Sequence, residues 1–327
     1  MGRHVSFRTH LLVLAAMAAL YGCSAGHSVN GNFARSFSVS GPIRLELANA
    51  AGDVNITGSA DGKVHVQADV RASGFGFDNP QKRLDDIVSN PPIEQRGDII
   101  RIGKELSRMR NISITYTIQV PHDTEVNVTV ASGAQTIRNV RGPVKVQAAS
   151  GAIRVEKIER DAQLSTASGA VSASDIGSDV RASTASGSVS VTNAAGDVQV
   201  NALSGVIQVI KPGGRVETAN ASGEVEIRGA ANDVKAHAAS GRVTVEGNPG
   251  ANSYWDLKTV SGTMQLRVPA SANFRLSAEA VSGEIRADIP IVIEEQSKHS
   301  LRAHLGSGGG RVEVHTVSGE IRVSGSN

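Results

Sequence analysis

Ser-Gly pairs begin at Ser132, Ser150, Ser168, Ser186, Ser204, Ser222 and Ser240, a spacing of 18 residues held six times in succession. Further pairs at Ser261, Ser282 and Ser318 follow after 21, 21 and 36 residues, the last interval being two repeats. A fixed period of this length means one supersecondary unit stacked repeatedly on its neighbours, which makes a single elongated body rather than a globule.

Each unit contains two stretches of strict alternation. Three and five residues after the serine stand Ile153 and Val155, Val171 and Ala173, Val189 and Val191, Ile207 and Val209, Val225 and Ile227, Val243 and Val245, with Arg154, Ser172, Ser190, Gln208, Glu226 and Thr244 between them. Before the serine the same pattern appears as Val144, Val146 and Ala148, or Val198, Val200 and Ala202, with Lys145 and Gln199 interposed. Period-2 alternation puts one apolar and one polar face on each short strand. Turn chemistry separates the strands, as in Ala195-Gly-Asp197 and Pro212-Gly-Gly214.

Two half-buried strands per unit fit either an array of antiparallel hairpins or a solenoid in which every unit is one coil. Identical register over so many units favours the solenoid, where equivalent positions lie above one another. The expectation is an all-β fold: an elongated β-solenoid of 18-residue coils, two short strands per coil, with some ten coils making a rod of roughly 50 Å. Aromatic residues make up only 3% of the chain, as a narrow core of Val, Ile and Ala requires. The pairs Ser132-Gly133, Ser150-Gly151, Ser168-Gly169, Ser186-Gly187, Ser204-Gly205, Ser222-Gly223 and Ser240-Gly241 are read as structural corners, glycine supplying positive φ and serine bonding nearby backbone.

The flanks divide the chain further. Arg3 and Arg8 precede an apolar run from Leu11 to Leu20, too short for a permanent span and of secretory type, so residues 1–22 read as a signal peptide. The run ends in Leu20-Tyr21-Gly22-Cys23-Ser24, which resembles a bacterial lipobox, and Cys23 is the single cysteine. That resemblance implies acylation of Cys23, export, stable membrane anchoring through several acyl chains and, since Ser24 follows, the outer membrane. Residues 23–32 read as a lipidated polar tether and residues 33–327 as the repeat domain. Within that domain 33–125 is an irregular part, 126–287 holds the regular coils, 288–310 is an irregular insertion and 311–323 is the last coil. Asn79-Pro80, a helical face of Leu84, Ile87 and Val88, and Pro91-Pro92 predict one short helix in the N-terminal part.

Tyr116 to Pro121 (YTIQVP), the serial strand and Ser-Gly units, and Leu305 to Val323 (LGSGGGRVEVHTVSGEIRV) together resemble the bacterial DUF4097 family of β-strand repeat proteins, from about Ile43 to Val323. The resemblance implies a β-solenoid in the cell envelope. The family's adhesin label rests on analogy, and the family has no catalytic residue to carry over.

Removing Arg3 and Arg8 leaves 31 basic residues against 31 acidic ones, without the basic excess or base-stacking aromatics that nucleic acid requires. Asp161, Asp179, Asp197 and Asp233 form a column interrupted by Arg215; it suggests turn capping rather than a calcium ladder, which needs six to eight oxygens. Glu217, Glu224 and Glu226 form the densest acidic cluster and Glu294-Glu295 the next, both readable as solvated charge. His237 and His315 share an outward phase but stand four coils apart by the repeat count, while His299 and His304 fall in the irregular insertion, so neither a metal site nor a cofactor is expected. Asn220 intrudes in an inward column of Ala and Thr and reads as an amide bonded to backbone.

The leading expectation is a non-enzymatic, lipid-anchored envelope protein, an adhesin or scaffold offering repeat faces to a polymer or protein partner. A β-helix enzyme acting on envelope or extracellular polysaccharide, and a purely structural spacer, are the alternatives.

Overall fold

The computed structural model describes residues 27–74, 78–103 and 111–326. Strands pair in parallel at an offset of 18 residues: Val144 lies beside Ala162, Ala162 beside Val180, and Val180 beside Val198, while on the opposite wall Ile153, Val171, Val189 and Ile207 follow one another in the same way. Parallel pairing excludes the hairpin array. Each coil contributes to two facing walls of one continuous sheet, by two short strands in the coils up to Ala194 and, unlike the expected two strands per coil, by one long strand running through the corner in Val198–Pro212, Val216–Ala230, Val234–Gly247, Tyr254–Val268 and Gly310–Gly325. The inward columns fill the space between the walls, and Val146, Val155, Val191 and Val200 are fully buried. Burial on one side and solvent on the other is why the alternation is so strict.

The central coils are packed mainly by aliphatic residues, with Thr166, Thr184, Thr218 and Asn220 among them, and the large aromatics lie at the two ends. Phe33 and Tyr116 meet edge to face at a centroid distance of 6.5 Å near one end. Trp255 and Phe274 are fully buried near the other, the Trp255 indole donating to the Asn232 carbonyl at 2.8 Å. Trp255 stands beside Val234 in the regular register, and the extra residues of the 21-residue interval before Ser261 lie in the turn at 248–253.

At both ends the spatial order of coils departs from the chain order. Strand Gly310–Gly325 is inserted between Tyr254–Val268 and the pair Phe274–Ser282 and Ile285–Asp288. Ser318 therefore stacks on Ser261, and Ser282 lies outside it, contrary to the serial stacking expected from the sequence. The N-terminal end repeats the device: Ile43–Ala51 lies between Ile99–Ile102 and Thr124–Ser132, and Val54–Ser59 between Ile112–Pro121 and Gln135–Val140. A coil held between two others has no free edge strand, so Ile43–Ala51, Val54–Ser59 and Gly310–Gly325 are each paired on both sides.

Three segments differ from their sequence reading. Residues 27–32, expected within a tether, open strand His27–Ser38, which pairs antiparallel with Lys63–Gly74; a polar segment forms a strand here because it edges a sheet and needs only one buried face. The expected irregular insertion at 288–310 is a hairpin, Val292–Gln296 with Ser300–Leu305, whose second strand runs antiparallel to Phe274–Ser282 and covers the end of that sheet. Two unforeseen strands, Ile93–Arg96 and Ile99–Ile102, do the same at the other end.

The helix is Pro80–Ser89, with Asn79 accepting from the Lys82 amide at 3.1 Å and Leu84 buried over Gly31. It packs on the antiparallel strands His27–Ser38 and Lys63–Gly74. Among the described residues no helix is long and apolar enough to cross a membrane. Cys23 and the signal segment lie outside the described residues.

Candidate interaction surface

The corners explain the repeat. Gly133, Gly151, Gly169, Gly187, Gly205, Gly223 and Gly241 all have φ between +121° and +143°. A Cβ on any of them would also overlap the carbonyl oxygen of the glycine one coil below, as Gly205 does over Gly187 and Gly187 over Gly169. Two independent requirements, left-handed backbone and close stacking, thus converge on glycine. Ser132, Ser150, Ser168, Ser186, Ser204, Ser222 and Ser240 stand exposed along the same edge. Their carbonyls join the ladder, Ser168 and Ser186 accepting from the Gly151 and Gly169 amides at 3.0 Å.

The opposite corner holds a second periodic column that sequence reasoning missed. Asn139, Lys157, Asp175, Asn193 and Lys211 have φ between +52° and +58°, and Gly229 continues them at +76°. The signal was present as Asn, Asp and Gly at 18-residue spacing, the types that tolerate left-handed backbone best; the lysines obscured it.

The aspartate column cross-links coils. Asp179 accepts from the Asp197 amide at 2.9 Å, Asp197 from Arg215 at 2.8 Å, and Asp233 from Tyr254 at 2.9 Å. Asp161 reaches the Asp179 amide at 3.4 Å, and Asp53 repeats the bond to Ala134 at 2.8 Å. Arg215 fills the gap in the column by pairing its guanidinium with Asp233 at 3.0 Å. These bonds run between coils, whereas the sequence suggested capping within a turn. Among the described residues no group of three His, Cys, Asp or Glu side chains is placed to hold a metal ion.

The acidic clusters are dispersed into pairs. Glu217 binds Lys235 at 2.9 Å, Glu226 accepts from Gln208 at 2.8 Å, Glu294 meets His304 at 2.8 Å and Glu295 meets Arg302 at 3.0 Å. Asn220 donates to the Gly205 carbonyl and accepts from the Ser222 amide, both at 3.2 Å.

The interleaved C-terminal end creates an arrangement that the repeat count concealed. His237, Lys258, His315 and Glu279 stand side by side on successive strands, so the two histidines are two coils apart, not four. Inserting the last coil next to Tyr254–Val268 removes the intervening ones. Asp256 bridges His237 at 3.0 Å and Lys258 at 2.9 Å, and Glu279 approaches His315 at 3.5 Å. Burial opposes ionisation of Asp256, yet the hydrogen bonds from Lys258 and His237 outweigh it and hold its carboxyl below the usual carboxylate range. At the start of the strand that carries Asp256 and Lys258, Tyr254 donates to Glu313 of the neighbouring strand at 2.6 Å, a bond that pushes its hydroxyl up to about 12.

Of these side chains His237, Lys258, Glu279 and His315 line a groove of about 730 Å³. Its apolar rim is Val260, Val317 and Val281, 55%, 50% and 74% exposed, on three adjacent strands. Its far wall is the turn at residues 297–300, tied down where the Ala280 amide donates to the His299 carbonyl at 2.9 Å. The valines belong to a longer column, the residue before each Ser-Gly pair, which reads Ala131, Ala149, Ala167, Ala185, Leu203, Ala221 and Ala239 in the preceding coils, every one exposed.

The family model described as Toastrack DUF4097 matches residues 164–324. Among solved structures, a putative cell adhesion protein from Clostridium sporogenes ATCC 15579 is 11% identical, with a TM-score of 0.25, covering 91% of this chain and 100% of that one. A putative adhesin from Bacteroides fragilis NCTC 9343 is also 11% identical, with a TM-score of 0.36, covering 90% of this chain and 97% of that one. No curated protein matches the chain.

Proposed function

Over residues 164–324 the chain belongs to the Toastrack DUF4097 family, and from the surface built on that fold we propose a non-enzymatic, lipid-anchored envelope protein that binds a polymer or protein partner along its length. One observation carries this reading. The exposed aliphatic side chains Leu203, Val260, Val317 and Val281 fall in a single column beside the Ser-Gly corners, continued by alanine elsewhere, instead of being scattered singly. A contiguous exposed apolar track marks an interaction surface. A spacer needs no such track, and the pairing of each acidic cluster with basic neighbours speaks for a solvated surface over a catalytic acid and base.

The signal-type run before Cys23 supports export and acylation. His27, four residues after Cys23, begins the outermost strand at the N-terminal end, so lipid at Cys23 would hold the rod by that end. The C-terminal coils would then stand roughly 50 Å away from the membrane, at about 4.8 Å per coil.

Two measurements test the reading. Cys23→Ser should abolish incorporation of labelled palmitate and release the protein from washed membranes; unchanged sedimentation with membranes overturns the anchor. Full-length protein on beads should retain envelope material less well when Leu203→Ser and Val260→Ser are combined. Reproducible release of reducing ends from envelope glycans, lost with a single Glu change, would instead establish an enzyme.

A further inference from the structure

We propose that strand His27–Ser38 pairs edge to edge with the same strand of a second copy, antiparallel about a two-fold axis at Phe33, so that two rods join at their N-terminal ends. This goes beyond the envelope-binding reading and stands or falls separately from it. Among the described residues four strands have a single strand partner. Three of them, Ile93–Arg96, Ile285–Asp288 and Val292–Gln296, run for only 4, 4 and 5 residues, and each carries charge. His27–Ser38 runs for 12, pairs with Lys63–Gly74 without a register shift, and contains neither proline nor lysine. Shortness, bulges, charge and proline are what ordinarily protect an open edge. Here Arg35 is the single such device.

The ladder fixes which groups are free. The Val39 amide, one residue past the strand, donates to the Gly62 carbonyl at 3.3 Å, so the odd-numbered residues are the ones that exchange hydrogen bonds with Lys63–Gly74. The even-numbered residues from Ser28 to Ser38 therefore aim N–H and C=O away from the sheet. Two of these carbonyls accept from side chains alone, Ala34 from Arg35 at 2.9 Å and Ser38 from Gln95 at 3.4 Å. Helix Pro80–Ser89 packs instead on the inward face, with Leu84 against Gly31.

A second copy matches this edge in one register. Its own free groups also belong to even-numbered residues, so even must pair with even. Centring the pair at Phe33 sets Asn30 of one copy against Ser36 of the other and Asn32 against Ala34, all uncharged and exposed. On the inward face it sets Val29 against Phe37, both partly buried at the margin of the core, and Arg35 against Gly31, which has no side chain to displace. Centring at Asn32 would oppose Arg35 to Val29, centring at Ala34 would oppose it to Phe33, and centring at Arg35 would oppose it to itself. One contact thus satisfies both open edges, the self-complementary contact of a closed dimer. The anchor proposed at Cys23, four residues before His27, would hold these edges at one height above the membrane, and a joined pair would lie along the surface where a single rod stands.

The test uses the full chain carrying Cys23→Ser, whose only thiols are then those introduced, in detergent-free buffer. Sedimentation velocity should show a concentration-dependent dimer. Asn32→Pro removes an outward N–H that no bond to Lys63–Gly74 uses, and should raise the dissociation constant more than about tenfold. Asn30→Lys with Ser36→Lys opposes like charges across the axis and should weaken the dimer about tenfold, as should Asn30→Glu with Ser36→Glu; mixing the two charged chains should restore association. Asn32→Cys mixed with Ala34→Cys should form a disulfide under mild oxidation faster than either chain alone. A monomer at every concentration up to about 0.1 mM, a dimer indifferent to these changes, charged chains that associate no better when mixed, or equal cross-linking in all three samples would each overturn the proposal. None of these variants touches Leu203 or Val260, so retention of envelope material reports on the other reading independently.

Discussion

Ser318 stacks in register on Ser261, although Ser282 lies between them in the sequence. The last strand of the chain is thereby paired along both edges. Chain ends ordinarily fray, since few contacts tie them down. Here the amides of Gly310–Gly325 should exchange as slowly as those of Val216–Ala230 in the middle of the rod, measured by hydrogen exchange with mass spectrometry. Rapid exchange of Gly310–Gly325 relative to Phe274–Ser282 would mean that the coils stack in chain order.

The glycine corner should be intolerant of any side chain. Gly187→Ala places a methyl against the Gly169 carbonyl and forces alanine to φ +143°, so a loss of at least about 3 kcal/mol is expected. Gly62→Ala, with open space around it and no positive φ, should cost within about 0.5 kcal/mol. Urea unfolding of the two variants makes the comparison.

Strand phase can be tested one residue apart. Val189 is buried and Ser190 faces outward. Val189→Asp should lose several kcal/mol by burying an unpaired carboxylate, while Ser190→Asp should stay within about half a kcal/mol. Equal melting temperatures would invalidate the phase.

Tyr116 carries a buried hydroxyl without a hydrogen-bond partner among the described residues, and burial pushes its ionisation upward. Tyr116→Phe keeps the ring packed on Phe33 and removes the unsatisfied group, so stability should rise by about 1 kcal/mol. A clear loss of melting temperature would indicate a partner for the hydroxyl.

Asp256 links acidity to stability at the groove. Its folded pKa lies below the unfolded value, so the bridge to Lys258 and His237 contributes fully above the ordinary carboxylate range and is lost as pH falls through the depressed folded value. Below about pH 4 the native protein should therefore lose stability more steeply than Asp256→Asn, which starts less stable at pH 7. Parallel pH curves for the two would remove Asp256 from this role.

Much of the rod was legible in the sequence because a solenoid is quasi-one-dimensional. Inward Val189 and outward Ser190, the corner at Gly187 and the 18-residue offset all follow from local alternation and from sterics that recur in every coil. The helix was legible for a similarly local reason, Asn79 and Pro80 supplying its start. The left-handed column at Asn139, Lys157 and Lys211 was only half visible, since lysine is a poor marker of positive φ.

What the sequence determined by itself was the repeating unit: its period, its inward face and the residue type at each corner. Each is set within one coil, by side-chain alternation and backbone sterics. Which coil lies beside which was decided only by the tertiary structure. Every coil offers the same ladder of amides and the same aliphatic columns to a neighbour, so local chemistry does not distinguish Ser282 from Ser318 as the partner of Ser261. The choice falls to the ends, where hairpins must cover exposed strands and Trp255 and Phe274 must be enclosed. That choice set His315 beside Lys258 and made the groove.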